Sequence, residues 1–216
     1  MSRAWIAIGL LAAVLLGLGV GIGVHLLTSG SSPAPAVVST RFGMHGEAAW
    51  AAGAQPAPAT NSLRDQTGRP FSLAALRGRS VAVVFFDSHC KQECPLEGRA
   101  LAAAEQALPS TERPVLVAVS VNPADTSGSA ARAARAWGLT GGAPWHWLMG
   151  TRAQLAPVWK AYHVFVSPHP INGDIAHTEA LYLVDRRGFE RSAYLWPFAG
   201  KFVTMDLRTL ARGPRG

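Results

Sequence analysis

The sequence predicts an α/β domain, a mixed central sheet flanked by helices, preceded by one N-terminal transmembrane helix. Three observations lead there. Two continuous β-branched runs, at 80–86 (SVAVVFF) and 115–121 (VLVAVSV), each lead into a helix-forming stretch, the order of a parallel sheet with right-handed crossovers. Two later strand runs flank Asp185-Arg186-Arg187-Gly188, an antiparallel hairpin signal that makes the sheet mixed. Residues 4–27 carry no charge apart from that open to His25, a length that spans roughly 30 Å of hydrocarbon as a helix.

That first run follows Met1, Ser2 and Arg3. A signal peptide has an apolar core of about 7 to 15 residues, so an uncleaved anchor over 1–27 is expected, although Ala34-Pro35-Ala36 resembles a cleavage site. No cysteine follows the run, so a lipid-modified cysteine is not expected there. Arg3 precedes it and the next basic residue is Arg41, which puts the N-terminus inside. The expectation is a single-pass protein of the cytoplasmic (inner) membrane with its domain on the extracytoplasmic, periplasmic side. Gly17, Gly19, Gly21 and Gly23 contain GxxxG spacings, but small residues are common in membrane helices and need no partner helix. Residues 28–60, rich in Pro, Ala, Ser and Gly, read as a linker. The Met44-His45 pair inside it reads as an ordinary feature of a tether rather than a soft-metal site.

The domain then covers 61–216, about the size of one globular unit. It holds 18 of the 20 basic and 12 of the 13 acidic residues of a chain with net charge +7. Without an aromatic-interleaved basic patch or a reading motif, nucleic acid is excluded as a partner. The charge suits an acidic protein surface or anionic lipid, and a scattered solvated surface is the simplest account of it. Two cysteines are too few for a disulfide scaffold or an all-cysteine zinc site.

Within the domain, Asp65-Gln66-Thr67-Gly68 is a turn between short strands, the second at 70–73, so a hairpin opens the fold. The run at 80–86 is apolar throughout, as a strand buried on both faces is. Asp87 to Pro95 forms a loop, and 96–108 is Ala-rich and helical. After the strand at 115–121, a helix at 129–137 ends at Gly138. Residues 145–149 read as an edge strand, 151–162 as a helix containing Pro157, and 164–176 as a loop or distorted hairpin. Strands at 179–184 and 189–195 and a helix at 198–211 complete the domain.

Cys90 and Cys94 are four apart at the start of a helix, so both thiols share one face, about 5 to 6 Å apart at Cβ. Helix N-termini stabilise thiolates, and Pro95 loses no N–H that the helix needs. Two soft sulfurs suit Cu(I) or Zn(II). A structural disulfide is the bland alternative, but a bridge closing about five residues contributes roughly 2 kcal/mol, against more than about 4 for one spanning roughly a hundred. Such a pair is a poor staple and a good metal or redox site. The strand at 179–184 should run antiparallel to the central strand, so its beginning lies beside that strand's end. His177 sits there, as third ligand, with Asp174 near enough in sequence to orient it. His89 is the rival ligand, but next to Cys90 it should point away.

With these residues in place, the sequence resembles the SCO/SenC family, thioredoxin-like copper proteins that support cytochrome c oxidase assembly. The resemblance spans 61–198. It is carried by Asp65-Gln66-Thr67-Gly68-Arg69-Pro70, Phe71-Ser72-Leu73, Leu76-Arg77-Gly78, Phe85-Phe86, His89-Cys90, Cys94-Pro95, Ser120-Val121-Asn122-Pro123, His177-Thr178 and Tyr182-Leu183-Val184-Asp185. It implies that Cys90, Cys94 and His177 are the metal ligands, for Cu(I) and also Cu(II), and that Cys90 and Cys94 form a disulfide when copper is absent and the thiols oxidise. It further implies delivery of copper to the binuclear site of oxidase subunit II or another copper-accepting protein, or reduction of that site's cysteines. This chain departs from the family's usual pattern in Asp87-Ser88 before His89-Cys90, in Lys91 after it, and in Ala176 where an acidic residue often precedes the histidine.

The expected function is a non-enzymatic metallochaperone. A thiol-disulfide oxidoreductase or redox sensor using Cys90 and Cys94 is the second reading, with a thiol reductase as a further partner class. A peroxiredoxin is third, since Asp87-Ser88-His89 does not supply the Pro-x-x-x-Thr-x-x pattern. A redox enzyme should tolerate loss of His177, and a copper carrier should not.

Overall fold

The apolar run after Ser80 is the middle of the sheet, because only a strand covered on both faces needs no polar side chain. The computed structural model describes residues 40–171 and 174–213; the expected anchor at 1–27 and the linker as far as 39 lie outside the described residues. Among the described residues no helix is long and apolar enough to cross a membrane. Two short strands, β1 (Ala48–Ala49) and β2 (Gln55–Pro56), precede β3 (Val81–Phe86), which is buried at every position. β4 (Val115–Ser120) pairs with β3 in parallel, Val81 opposite Val115 and Phe86 opposite Ser120, and β5 (Trp145–Leu148) continues the parallel half. On the other side β6 (Ala180–Val184) runs antiparallel to β3, with Val84 opposite Leu181. β7 (Phe189–Leu195) follows antiparallel, and both β1 and β2 pair with it. The order across the sheet is β1-β7-β6-β3-β4-β5.

The period of two along β3 divides the core into two layers. Ala82, Val84 and Phe86 face α1 (Glu93–Gln106), α2 (Ser127–Ala136) and α4 (Gly200–Arg212), where Leu101, Ala134 and Leu207 close the layer. Val81, Val83 and Phe85 face Leu155 and Val158 of α3 (Arg152–Ala161), together with Leu63 and Phe71. Thr126 with Ser129 and Thr151 with Gln154 make reciprocal capping boxes at α2 and α3. At α1 the capping residue, Gln92, offers no side-chain bond.

Two expectations need correction. Residues 40–60 are not a free tether: Met44 is in the core, 1% exposed, and β1 and β2 add to β7. His45 donates its backbone N–H to Asp206 Oδ2 (2.9 Å) and sets Nδ1 2.6 Å from Oδ1, while Tyr194 donates its hydroxyl to Oδ2 (2.6 Å). The Met44-His45 pair is therefore a clasp onto α4. Gly46 lets the segment lie this close, since a Cβ there would stand 2.3 Å from the Ala193 carbonyl oxygen. The second correction concerns the opening hairpin. Asp65 does close a turn, accepting the N–H groups of Thr67 and Arg69. Arg64, however, exchanges both backbone bonds with Met149 beside β5, so the expected strand at 70–73 is reduced to an isolated bridge at Pro70 and one bond from Phe71 N–H to the Leu63 carbonyl, and Leu73 already begins a 3₁₀ turn, Leu73–Leu76.

Candidate metal-binding site

The segment between β3 and α1 is fixed by a buried polar network before it reaches the first cysteine. Asp87 Oδ1 accepts the His89 N–H (2.9 Å) and an Asn122 amide hydrogen (3.1 Å). Ser88 donates its hydroxyl to Asp125 Oδ1 and Ser120 donates to Oδ2, each at 2.6 Å. Trp147 in turn donates Nε1–H to the Ser120 hydroxyl (2.8 Å). The loop is thus tied to the ends of β4 and β5. Burial holds the Asp125 carboxyl above its ordinary range, against the hydroxyls of Ser120 and Ser88 that stabilise the anion.

That loop delivers Cys90 to the open end of α1. The N–H of Cys94, an otherwise unpaired first-turn donor, points at Cys90 Sγ at 3.4 Å, so the sulfur takes the place of the missing side-chain cap. Neither cysteine is in a disulfide. The neighbouring Cys94 thiol, with the N–H groups of Cys94 and Gln92 and against the effect of burial, brings the Cys90 thiol down to about 6. The proximity of the Cys90 sulfur, burial and the charge of that thiolate push Cys94 up. One proton shared by two sulfurs leaves Cys90, the more exposed, as the thiolate and Cys94, fully buried, as the thiol.

The antiparallel register of β6 brings its approach segment beside the end of β3, and His177 lies on that segment. A short ladder fixes its backbone: Ser167 N–H donates to the Ala176 carbonyl (2.8 Å), Thr178 N–H to that of Phe165 (2.9 Å), and Val166 bridges His177. His177 Nε2 stands 3.6 Å from Cys94 Sγ. Its Nδ1 lies 3.1 Å from the Thr178 carbonyl oxygen, which assigns the proton to Nδ1 and turns the Nε2 lone pair to the sulfur. Burial pulls the His177 pKa down, with the Thr178 carbonyl opposing, so the ring is neutral near pH 7.

The structure sets His177 Nε2 3.6 Å from Cys94 Sγ and the Cys94 N–H 3.4 Å from Cys90 Sγ, and it separates the other two candidates. The Thr178 carbonyl, rather than Asp174, orients His177; Asp174 bonds through its backbone to Ile171 and acts on Cys90 only as a nearby charge. The ring of His89 turns to Asp125, with Nδ1 3.2 Å from Oδ1.

Two carboxyl groups were not anticipated from the sequence. Glu179, two residues along the strand approach from His177, offers an oxygen within 4.8 Å of both Cys94 Sγ and a His177 ring nitrogen, and burial, then the charges of Glu93 and Cys90, push it up to about 7. Glu97 follows Cys94 by one helical turn, is fully buried, and has no hydrogen-bond partner among the described residues. Burial first, then Glu179 and Cys90, hold it well above the carboxylate range. Their spacings, i+2 on a strand and i+3 on a helix, were the available signal.

A buried sulfur facing a neutral imidazole, with a second sulfur one helical turn away, suits a soft or borderline metal ion such as Cu(I) or Zn(II) better than a hard cation. A protein-family model described as SCO1/SenC matches residues 51–211, whereas no curated relative matches the sequence. Among solved structures, the chain is similar to Bradyrhizobium japonicum ScoI with copper bound, at 24% identity over 68% of this chain and 95% of that one, with a TM-score of 0.59. It is similar to yeast Sco1 with copper bound, at 21% identity over 74% and 90%, with a TM-score of 0.60. A third likeness is to BsSco, a member of the Sco family of cytochrome c oxidase assembly proteins in which a disulfide switch is identified, at 18% identity over 74% and 95%, with a TM-score of 0.61. At these identities the likeness shows the fold, the expected thioredoxin-like sheet with its helices.

Proposed function

The chain belongs to the SCO1/SenC family, and we propose that it is a copper carrier of the extracytoplasmic face of the cytoplasmic membrane, anchored by residues 1–27 and delivering copper to the binuclear site of cytochrome c oxidase subunit II. The observation that carries this reading is the approach of His177 Nε2 to Cys94 Sγ, 3.6 Å, beside a second cysteine already inclined to ionise. A disulfide exchange pair needs no such imidazole. The copper-bound relatives supply the choice of metal.

Copper is cargo here. Cys90, partly exposed and a thiolate near neutral pH, makes the first contact. Cys94 gives up its proton as it joins, which couples loading to proton release. His177 adds a neutral nitrogen without a proton to lose, and the Thr178 carbonyl keeps the ring from turning. Glu97 and Glu179, both held towards the protonated form, add little negative charge to a site that has two sulfurs to ionise. Partner thiolates approaching on the Cys90 side would displace the ligands one at a time.

A second reading, thiol-disulfide exchange, is favoured by the lowered Cys90 pKa. Cys90 would attack a partner disulfide, Cys94 would resolve the mixed disulfide, and a Cys90–Cys94 disulfide would result with the partner reduced. Anaerobic Cu(I) titration of the reduced full chain against a competing chelator separates the two. One tightly bound copper, lost in Cys90→Ser and Cys94→Ser and weakened in His177→Ala, is the expected result. Equal, weak binding by all four proteins, with rapid disulfide reduction retained in His177→Ala, would assign the exchange reading instead.

A further inference from the structure

The opposite end of β6 opens on a cavity of about 780 Å³ that the copper site does not use. Arg186 and Arg187 of the β6–β7 turn, Arg191 of β7, and Arg208 and Arg212 one turn apart on α4 all line it. His177 and Asp185 bracket β6, so eight residues of largely extended chain, up to about 26 Å at about 3.3 Å each, separate this cavity from the sulfur site.

The five guanidinium groups are positioned by the same atom. Arg186 donates Nε–H to the Gly78 carbonyl (2.8 Å), Arg191 to that of Trp50 (3.1 Å), and Arg212 to Glu112 Oε1 (3.1 Å). Arg187 Nε lies 3.9 Å from Asp185 Oδ2, and Arg208 Nε lies 3.7 Å from Glu112 Oε2. Among the described residues no hydrogen bond is made by a terminal nitrogen of any of the five, so all ten terminal NH2 groups remain for something else. The countercharge is short. Among the described residues Asp185 is the one carboxylate in the lining, and its Oδ1 is committed to the turn, accepting the N–H groups of Arg187 and Phe189. Glu112 serves two arginines. Residues 1–39 contain no Asp or Glu that could supply the rest. A basic residue in the last turn of α4 complements the helix dipole, which accounts for Arg212 but not for five guanidiniums on one hollow. The rim is apolar: Phe42 and Met205 are about half exposed.

We infer that this cavity binds a phosphate-bearing anion, either the headgroup of an anionic phospholipid or a free phosphorylated small molecule. Planar guanidinium forks match phosphate oxygens two at a time, and an apolar rim around a cationic hollow suits an amphiphile with an anionic head.

The test uses the full chain in a neutral detergent. Inorganic phosphate, glycerol 1-phosphate, phosphatidylglycerol and, as control, phosphatidylcholine are titrated and read by calorimetry and by native mass spectrometry. Saturable one-site binding of a phosphate-bearing anion is expected, with affinity falling as salt is raised. The double variant Arg187→Gln with Arg208→Gln removes two guanidiniums that make no hydrogen bond of their own, and should weaken binding about tenfold or more. Glu112→Gln releases Arg208 and Arg212 and should tighten it, an opposite shift that misfolding could not produce. Binding of the soluble phosphates supports a free phosphorylated ligand, and binding of phosphatidylglycerol alone supports a headgroup. No saturable binding of any anionic probe, equal affinity in wild type and the double variant, or equal retention of phosphatidylcholine would overturn the inference.

Discussion

The two ends of β6 solve opposite electrostatic problems with the same strand. At its beginning, beside His177, titratable groups are crowded and dry: Cys90 is pulled down, Cys94, Glu97 and Glu179 are pushed up, and His177 is kept neutral. At its end, beyond Val184, five arginines remain charged around an open hollow. The first end sheds charge to offer soft lone pairs; the second keeps charge to offer donors. A site for a soft ion and a site for a hard anion thus need different surroundings before they need different ligands.

The largest effect that would test this contrast is loss of a sulfur. Cys94→Ser removes the buried donor between Cys90 and His177 and should abolish tight Cu(I) binding in a chelator competition, while leaving phosphate binding at the other end intact. Next is His177→Ala, expected to weaken Cu(I) binding by more than about 100-fold, beyond the 10- to 100-fold typical of an outer-sphere loss; a change of less than twofold would remove the imidazole from the site.

The pH dependence of the sulfurs comes third. Alkylation of Cys90 by iodoacetamide should rise with a midpoint near pH 6, and Cys94 should not react below pH 9. The native pKa lies below the ordinary thiol value of 9.0, so the stability contributed by the Cys90 thiolate is full above about pH 9 and is lost as pH falls through about 6. A midpoint near 9 in the folded chain would show that the Cys94 N–H and side chain do not stabilise the thiolate.

A smaller effect is expected at Asp125. Asp125→Ala leaves the Ser88 and Ser120 hydroxyls without their acceptor and should cost about 1 to 3 kcal/mol in urea denaturation, with a modest loss of copper affinity as the loop before Cys90 loosens. Smallest of all, Arg187→Gln with Arg208→Gln should leave Cu(I) affinity within about twofold. A larger change would mean that β6 couples its two ends.

What was legible in the sequence is what burial writes into composition. β3 and β4 carry no charge, so they read as strands covered on both faces, and the antiparallel register that follows from the β6–β7 hairpin was enough to place His177 beside Cys94. The sequence reading missed features whose cause is tertiary. β1 and β2 are two residues each, with alanine and proline, and exist because β7 offers an edge and Gly46 permits contact. Glu97 and Glu179 look like surface residues until the fold closes over them. Asp174 is near His177 in sequence, but a backbone carbonyl one residue away orients the ring without any side-chain signal.

The sulfur that caps α1 has a consequence for timing. While Cys90 is unliganded, its sulfur accepts the Cys94 amide; when another of its lone pairs goes to a metal ion or another sulfur, the negative charge that amide feels falls and the N–H bond to the sulfur weakens. The first turn of the helix therefore registers whether the hand is full, and the exchange rate of a single amide hydrogen becomes a gauge of cargo. A partner that grips the start of α1 could read that gauge before it touches the cargo itself.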